Sequence, residues 1–208
     1  MPRAPASAES LVEQIRPYIR DARVLAAVAA VPRHLFVPEA LSRFAWENTA
    51  LPIGAGQTIS QPVVVARMCE LLQLTGDERV LDVGAGSGYH AAILAQVARE
   101  VWSIERKAEL AEQARRNLDA TGIDNVHVIV GDGSRGLPEQ APFEAINVAA
   151  AAHDVPPALV EQLADGGRLV APIDGREQRL LLLRRHGDKF ERTYLDPVRF
   201  VPLVGDAD

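Results

Sequence analysis

Hydrophobic residues near the start of the chain recur at the spacing of an amphipathic helix. Within residues 7–30 they fall on one helical face, at Leu11, Ile15, Ile19, Leu25 and Val28. A proline interrupts the pattern, so we expect two helices with a break at residues 17–21. Residues 31–60 are rich in proline and show no regular period, which predicts irregular backbone with short helical turns. Loops of this length are usually functional.

After Pro62 the pattern changes to short β-rich runs that alternate with helical segments. The expected strands are residues 79–83, 100–105, 126–130, 143–149, 167–173, 179–186 and 189–195. The expected helices between them are residues 89–97, 107–120 and 156–163. The alternation predicts an α/β fold with a doubly wound, Rossmann-like, mostly parallel sheet, antiparallel C-terminal strands and an N-terminal helical appendage. Such sheets bind ligands at the carboxyl ends of their strands.

Composition and charge narrow the class of protein. The 208 residues are 48% hydrophobic and 24% charged, and the formal net charge is −6, which offers no general attraction to nucleic acid or to an anionic membrane. The single cysteine, Cys69, excludes an internal disulfide framework, and the opening residues contain no apolar run typical of a signal peptide. We therefore expect a cytoplasmic monomer without a membrane or nucleic-acid partner.

Three glycines follow the first strand of the alternating region, in "VLDVGAGSGYH": Gly84, Gly86 and Gly88. Glycine permits a sharp turn and brings backbone N–H groups close to a ligand. A dinucleotide fingerprint needs a further glycine where Tyr89 stands, and no lysine followed by serine or threonine is present nearby to make a phosphate-binding loop. A ligand without phosphates fits this loop better.

Acidic residues follow the next two strands. Glu105 ends the second strand and could accept hydrogen bonds from two ribose hydroxyls, or it could be an exposed carboxylate that pairs with Arg106 or Lys107. Asp132, in "GDG", could contact an amino group such as that of adenine, or it could simply belong to a turn. Three such signals at three consecutive strand ends favour a nucleoside site.

With these motifs the chain resembles the class I S-adenosylmethionine-dependent methyltransferases. More specifically, "VPRHLFVPEAL", "LPIGAGQTISQP", "VLDVGAGSGYHAA", "NVHVIVGDG", "APFEAINVAAAA", "GGRLVAPI" and "RFVPLV" are similar, in this order, to the protein-L-isoaspartate O-methyltransferase family. The stretch "GQTISQP" is the most specific of them. The resemblance covers residues 24–205 and implies methylation of the free α-carboxylate of L-isoaspartyl residues in damaged peptides and proteins. The ester then closes to a succinimide that partly reopens as normal aspartate.

The resemblance also implies roles for individual residues. S-adenosyl-L-methionine would be bound by Gly84, Ala85, Gly86, Gly88, Glu105, Arg106, Asp132 and Gly133. The substrate would be bound by Thr58, Ile59, Ser60, Ala150 and Val201, with Ser60 as the active-site serine. Residues 1–60 would supply the N-terminal helices and a lid over the cofactor, and residues 61–208 the cofactor-binding core, within one structural domain overall.

The lid segment "LPIGAGQTISQP" is almost uncharged, which suits methyl transfer from a sulfonium to a carboxylate. Charge is neutralised in that reaction, so a wall of small neutral groups that excludes water favours the transition state. Ser60 has a second interpretation, because a serine ahead of a proline and an apolar helical pattern is a good helix N-cap.

Several residues depart from the family pattern, and other functions stay open. Asn147 and Ala149 replace an apolar residue and a frequent threonine, Ala85 a frequent threonine or serine, and His90 a common glutamine. A methyltransferase for a small metabolite and a non-catalytic cofactor-binding relative are the alternatives. The five histidines lack metal-ligand spacing and are interpreted as structural or surface residues, so no metal is expected, and Cys69 as a core residue.

Overall fold

The computed structural model describes residues 7–205, in which a seven-stranded sheet is flanked by helices. The expectation of no signal peptide rests partly on residues 1–6, which lie outside the described residues. The strands of the main sheet are β3 (Arg79–Val83), β4 (Glu100–Glu105), β5 (Val126–Val130), β6 (Phe143–Val148), β7 (Leu163–Ile173), β8 (Arg179–His186) and β9 (Lys189–Pro197). A separate hairpin consists of β1 (Leu51–Gly54) and β2 (Gln57–Ile59). The helices are α1 (Ala8–Ile15), α2 (Ala22–Ala30), α3 (Pro62–Leu72), α4 (Tyr89–Ala95), α5 (Ala108–Thr121) and α6 (Pro157–Glu161).

The order of strands in the sheet is β5-β4-β3-β6-β7-β8-β9. Strands β3 to β7 are parallel, and β8 and β9 are antiparallel to their neighbours. The chain runs outward from β3 to β5 and then returns to β6 on the other side of β3. Ligands bind at such a reversal, so the carboxyl end of β3 is the expected place for a site. The predicted doubly wound architecture is confirmed.

The alternation of side chains along β3 divides the interior into two cores. Val80 packs in a cluster with residues from helices α1 to α5, whereas Leu81 and Val83 pack on the other face with α6 and its surroundings. Each large apolar side chain that is fully buried contributes roughly 1.5–3 kcal/mol to stability. Among residues 7–205 no helix has both the length and the apolar composition needed to cross a membrane.

The two predicted N-terminal helices are confirmed, with the break between them at residues 16–21. Ser7 begins α1 with a capping box, and the Asp21 carboxylate accepts a hydrogen bond from the backbone N–H of Arg23 at the start of α2. The buried residues of both helices belong to the same cluster as those of α3 and α4. These helices therefore contribute to the main core.

Three predictions about local structure need correction. The irregular segment predicted for residues 31–60 contains the hairpin β1–β2 as well as 3₁₀ turns at Arg33–Phe36 and Glu39–Phe44. Helix α6 ends at Glu161, earlier than predicted, and β7 begins at Leu163, earlier than the predicted residue 167, with an irregularity in its pairing to β6. These β7 residues include two adjacent glycines, which obscure a strand pattern in the sequence.

The interpretation of Ser60 as a helix cap is wrong. Pro62 occupies the first position of α3, so Gln61 is the N-cap, and the backbone N–H of Val63 in this first turn donates to Oδ1 of Asn48 at 3.0 Å, not to Ser60. Proline favours the first helical position because its fixed φ suits the helix and it has no N–H to satisfy. Ser60 therefore lies one residue before the cap, and another explanation is needed for its hydroxyl.

Candidate active site

A cleft opens at the carboxyl ends of β3 and β4, beneath the hairpin β1–β2 and the C-terminal segment 201–204. Most of the residues predicted to bind cofactor or substrate line this cleft. They are Thr58, Ile59, Ser60, Gly84, Ala85, Gly86, Glu105, Arg106, Gly133, Ala150 and Val201. The structure thus brings together residues from six separate stretches of the chain.

The glycine loop after β3 is held against the end of β4. The backbone N–H groups of Gly84 and Ala85 donate to the carbonyl oxygen of Ile104 at 2.8 and 3.1 Å. Gly84 and Gly86 have φ values of +98° and +54°, a region that favours glycine. The sharp turn predicted from the glycines is therefore present at the floor of the cleft.

Glu105 is buried, and both of its carboxylate oxygens are engaged by backbone groups. One accepts the N–H of Gly86 at 2.9 Å and the other the N–H of Lys107 at 2.9 Å. The alternative of an exposed carboxylate is wrong, since only 8% of the residue is accessible. A carboxylate has about four lone-pair directions, so these two bonds leave Glu105 capacity for ligand hydroxyls.

Gly88 and Asp132 do not line the cleft. A Cβ at Gly88 would lie 3.3 Å from the Cβ of Ala114, so this glycine allows α4 to begin close against α5. One oxygen of Asp132 accepts hydrogen bonds from the backbone N–H and the hydroxyl of Ser134, at 2.9 and 2.7 Å. This is the geometry of the turn alternative, and a contact from Asp132 to adenine stays a prediction.

The hairpin β1–β2 covers the glycine loop. A Cβ built on Gly86 would lie 3.3 Å from Cδ1 of Ile53, and the Lys107 ammonium donates a hydrogen bond to the carbonyl oxygen of Ala55 at the hairpin turn. The far side of the cleft is closed by the C-terminal segment, where the Leu203 N–H donates to the carbonyl oxygen of Ala151. The segment expected to form a lid therefore lies over the cleft.

Arg33 supports the end of this lid and was not recognised from the sequence. The side chain is fully buried, and it donates hydrogen bonds to the carbonyl oxygens of Ala45, Thr49 and Ser60 at 2.7, 2.8 and 3.3 Å. Burial lowers the pKa of Arg33 to about 10, which still leaves it charged at neutral pH. A lone arginine among apolar residues and prolines was the available signal.

Ser60 lies where the cleft meets a second groove on the outside of the molecule. The outer groove runs between residues 49–64 and residues 197–201. Four residues line both spaces: Thr58, Ser60, Ala149 and Val201. A polypeptide in the outer groove would therefore meet the cleft at Ser60.

A buried polar network lies beneath the cleft, on the face of β3 that packs against α3 and α4. The Asp82 carboxylate accepts hydrogen bonds from the Ser103 hydroxyl and the Asn147 amide, both at 2.7 Å, and the same amide nitrogen is 3.2 Å from Nδ1 of His90. Burial raises the pKa of Asp82 to about 6 and lowers the pKa of His90 to about 3.

His90 was interpreted only as a structural or surface residue, and the structure shows which of the two it is. It is buried and lines the cleft, so it is a candidate site residue that the sequence analysis missed. Cys69 is buried in the core as predicted, and burial raises the pKa of its thiol. Within the described residues no cluster of three or more histidine, cysteine, aspartate or glutamate side chains could hold a metal ion.

Comparisons with known proteins decide the family. The family model for protein-L-isoaspartate(D-aspartate) O-methyltransferase matches residues 6–208. The chain belongs to this family. Similar relatives in it include protein-L-isoaspartate O-methyltransferases of Methanoregula boonei (54% identical, 90% of this chain and 87% of that one) and Aeromonas hydrophila (53% identical, 91% and 93%).

Solved structures agree with this assignment. A protein-L-isoaspartate O-methyltransferase structure superposes with a TM-score of 0.87 at 30% identity, covering 96% of this chain and 66% of that chain. A structure of a Plasmodium falciparum protein named as a family member, in complex with S-adenosyl-L-homocysteine, gives a TM-score of 0.82 at 28% identity, covering 95% and 98%. The predicted family and fold are confirmed.

Proposed function

We propose that Ser60 orients the substrate carboxylate in the reaction of this family, between a cofactor cleft and an outer peptide groove. The chain transfers a methyl group from S-adenosylmethionine to the free α-carboxylate of L-isoaspartyl residues in damaged peptides and proteins. This transfer starts repair through a succinimide. The position of Ser60 at the junction of the cleft and the groove is the observation that carries the proposal.

The residues of the cleft fit the cofactor. Glu105 offers carboxylate oxygens to ribose hydroxyls, and the backbone of Gly84 to Gly86 allows close approach at the loop. The Nε2 atom of His90 is a buried polar atom without a hydrogen-bond partner within residues 7–205, at a wall of the same cleft. When bound, S-adenosylmethionine supplies an electrophilic methyl group on a sulfonium.

The chain does not need a general base for this reaction. A carboxyl group with an ordinary pKa near 4 is already ionised at neutral pH, so the substrate carboxylate can attack without being deprotonated by the enzyme. The Ser60 hydroxyl would donate a hydrogen bond to one carboxylate oxygen and leave the other to attack. Alignment of this kind accounts for much of the rate enhancement when reacting groups are held in line.

The lid has the composition that this chemistry favours. The side chains that residues 57–60 present to the cleft are glutamine, threonine, isoleucine and serine, all of them neutral. A neutral wall that excludes water stabilises a transition state in which opposite charges disappear. The cations Arg33 and Lys107 contact the lid from outside the segment, and both donate to its backbone carbonyl oxygens, at Ser60 and Ala55.

The proposed role of Ser60 is tested with Ser60→Ala and, as the conservative control, Ser60→Thr. We expect Ser60→Ala to lower kcat on an isoaspartyl peptide by roughly 10²- to 10³-fold, the effect of removing one well-placed donor. Binding of S-adenosylhomocysteine should stay within about twofold, and stability within about 0.5 kcal/mol, because Ser60 caps no helix. Ser60→Thr keeps the hydroxyl and should retain more activity. Normal turnover in Ser60→Ala would refute the role.

The substrate is tested with two peptides that differ only in carrying aspartyl or isoaspartyl at one position. Incubation with labelled S-adenosylmethionine should methylate only the isoaspartyl peptide. A methyltransferase for a small metabolite would label neither peptide, and a non-catalytic relative would bind S-adenosylmethionine without forming an ester. Neither alternative is favoured by the family assignment.

The remaining expectations are also proposals. We propose a cytoplasmic monomer that acts on peptides and proteins and binds no nucleic acid. The formal net charge of −6 supports the last point, since nucleic-acid affinity depends on basic surface. Sedimentation of the purified chain, with and without DNA, would test the oligomeric state and the absence of binding together.

A further inference from the structure

The side chain of His90 presents a polar atom that the protein itself does not satisfy. His90 is the second residue of α4, in its first turn, and only 6% of the residue is accessible. Its Nε2 is buried and has no hydrogen-bond partner among the described residues, and the residue lines the cleft. Buried polar atoms are nearly always paired, so an unpaired one at a cleft wall points to a ligand atom.

The hydrogen bonds around Asn147 determine which nitrogen of His90 carries the proton. The Asn147 amide nitrogen donates to the Asp82 carboxylate at 2.7 Å, which fixes the orientation of the amide. The same nitrogen lies 3.2 Å from Nδ1 of His90, so its second hydrogen points to Nδ1 as an acceptor. A neutral imidazole that accepts at Nδ1 carries its proton on Nε2. The unpaired atom is therefore a donor.

The contact of His90 with Asn147 of β6 indicates which part of the cofactor this donor meets. Glu105 ends β4 on one side of β3, whereas Asn147 lies in β6 on the other side and pairs with Asp82 in register. Ser60 also lies on the β6 side, because it shares the outer groove with Ala149, the residue after β6. If Glu105 holds the ribose, the sulfur and the amino-acid end extend towards β6 and His90.

We propose that His90 donates a hydrogen bond from Nε2 to the carboxylate at the amino-acid end of the cofactor, and that Asn147 is the positioning residue that keeps the proton there. The carboxylate is the strongest acceptor in that part of the ligand, and a bond to it is charge-assisted. His90 lines the cleft but not the outer groove, so its partner is the cofactor and not the peptide. The inference rests on the proposed placement of the cofactor.

Two ligands and two substitutions test this contact by calorimetry. S-adenosylhomocysteine carries the amino-acid end, and 5′-methylthioadenosine has the same nucleoside without it. His90→Asn keeps an atom near the place of Nδ1 and removes the donor at Nε2, whereas His90→Gln keeps a donor near Nε2. The control is His127→Asn, because His127 lies on β5, partly exposed, and binds Glu100.

We expect His90→Asn to raise the dissociation constant of S-adenosylhomocysteine about ten- to a hundredfold and that of 5′-methylthioadenosine by less than about twofold. His90→Gln and His127→Asn should bind both ligands nearly as the wild type does. Equal loss for both ligands in His90→Asn, or no loss for S-adenosylhomocysteine, overturns the inference. Failure of the wild type to bind S-adenosylhomocysteine would instead refute the proposed function.

The tautomer gives a second test that does not depend on a stable variant. Nitrogen-15 NMR of the wild type should show His90 protonated at Nε2, with a large shift of that proton on addition of S-adenosylhomocysteine and a small one with 5′-methylthioadenosine. Asn147→Leu should lower the population of this tautomer and selectively weaken the binding of S-adenosylhomocysteine. Protonation at Nδ1 in the wild type, or the same response to both ligands, would contradict the proposed contact.

Discussion

Replacement of Arg33 by methionine should separate the lid from its internal support. Methionine fills much of the volume of the arginine stem but leaves the carbonyl oxygens of Ala45 and Thr49, now bound at 2.7 and 2.8 Å, without their donor. A hydrogen bond to a charged group contributes about 1.5–3 kcal/mol, so two short ones amount to about 3–6 kcal/mol. The longer bond to Ser60 adds less.

The cost of burying the cation offsets part of this stabilisation. The pKa of Arg33 is lowered to about 10 by burial, so the charged form is itself disfavoured in the folded state. We therefore expect a loss near the lower limit, about 3 kcal/mol, which for a chain of this size lowers Tm by about 6–12 °C. The free energy of unfolding from urea titration is the primary measurement.

Measurement of kcat reports on the lid separately from overall stability. At temperatures below unfolding, Arg33→Met should lower kcat on an isoaspartyl peptide by a larger factor than it lowers the affinity for S-adenosylhomocysteine. The reason is that the carbonyl of Ser60 loses a hydrogen-bond donor, while Glu105 and the glycine loop are unchanged. The control Arg16→Met removes an exposed arginine that pairs with Glu13 on the surface of α1, and it should change stability by less than about 0.5 kcal/mol. An Arg33→Met protein within 1 kcal/mol of wild type would refute the argument.

Two other predictions concern the packing and the titration of the site. Gly133→Ala places a Cβ 2.5 Å from Cγ1 of Val83 and should cost about 1–3 kcal/mol of unfolding free energy in urea, whereas Gly131→Ala, with its nearest contact at 3.8 Å, should cost less. The free energy of unfolding of His90→Gln should fall less in acid than that of the wild type. Because the pKa of His90 is lowered to about 3, the wild type loses stability as pH falls below 6.5, by about 2 kcal/mol at pH 5. Asp82, whose pKa is raised to about 6, changes stability with pH in the opposite direction, but it does so equally in the wild type and in His90→Gln and so cancels in their difference. Equal loss of stability in acid for the two proteins would contradict the burial of a neutral imidazole.

The main sheet was predictable because its parallel strands are continuous apolar runs bounded by turns. β3, β4 and β5 agree with the predicted bounds, and the signal is clearest in the central strand β3, in which four of five residues are buried. The hairpin β1–β2 has no such pattern in the sequence. Its strands have four and three residues, with glycine and proline among them, and its position depends on contacts with distant parts of the chain, of Ile53 with Gly86 and of Ala55 with Lys107.

The candidate site was predictable where residues follow strand ends and unpredictable where elements meet. Glu105 was recognised from its place after β4, but its bonds to the N–H groups of Gly86 and Lys107 depend on the folded loop. His90 was missed because no spacing in the sequence shows that the start of α4 brings His90 next to Asn147 of β6. A signal existed in the polar Asn147 within an apolar strand, which required a buried partner.

The walls of the cleft come from widely separated parts of the chain, including residues 57–60, 83–87, 89–90, 104–107, 133, 149–150 and 201–204. No fragment of the protein can therefore retain the cofactor, and any opening that detaches one wall releases it. By mass action, ligand at a hundred times its dissociation constant raises the free energy of unfolding by about 2.7 kcal/mol. In a cell that maintains its pool of methyl donor, the supply of that small molecule would protect the repair enzyme from unfolding.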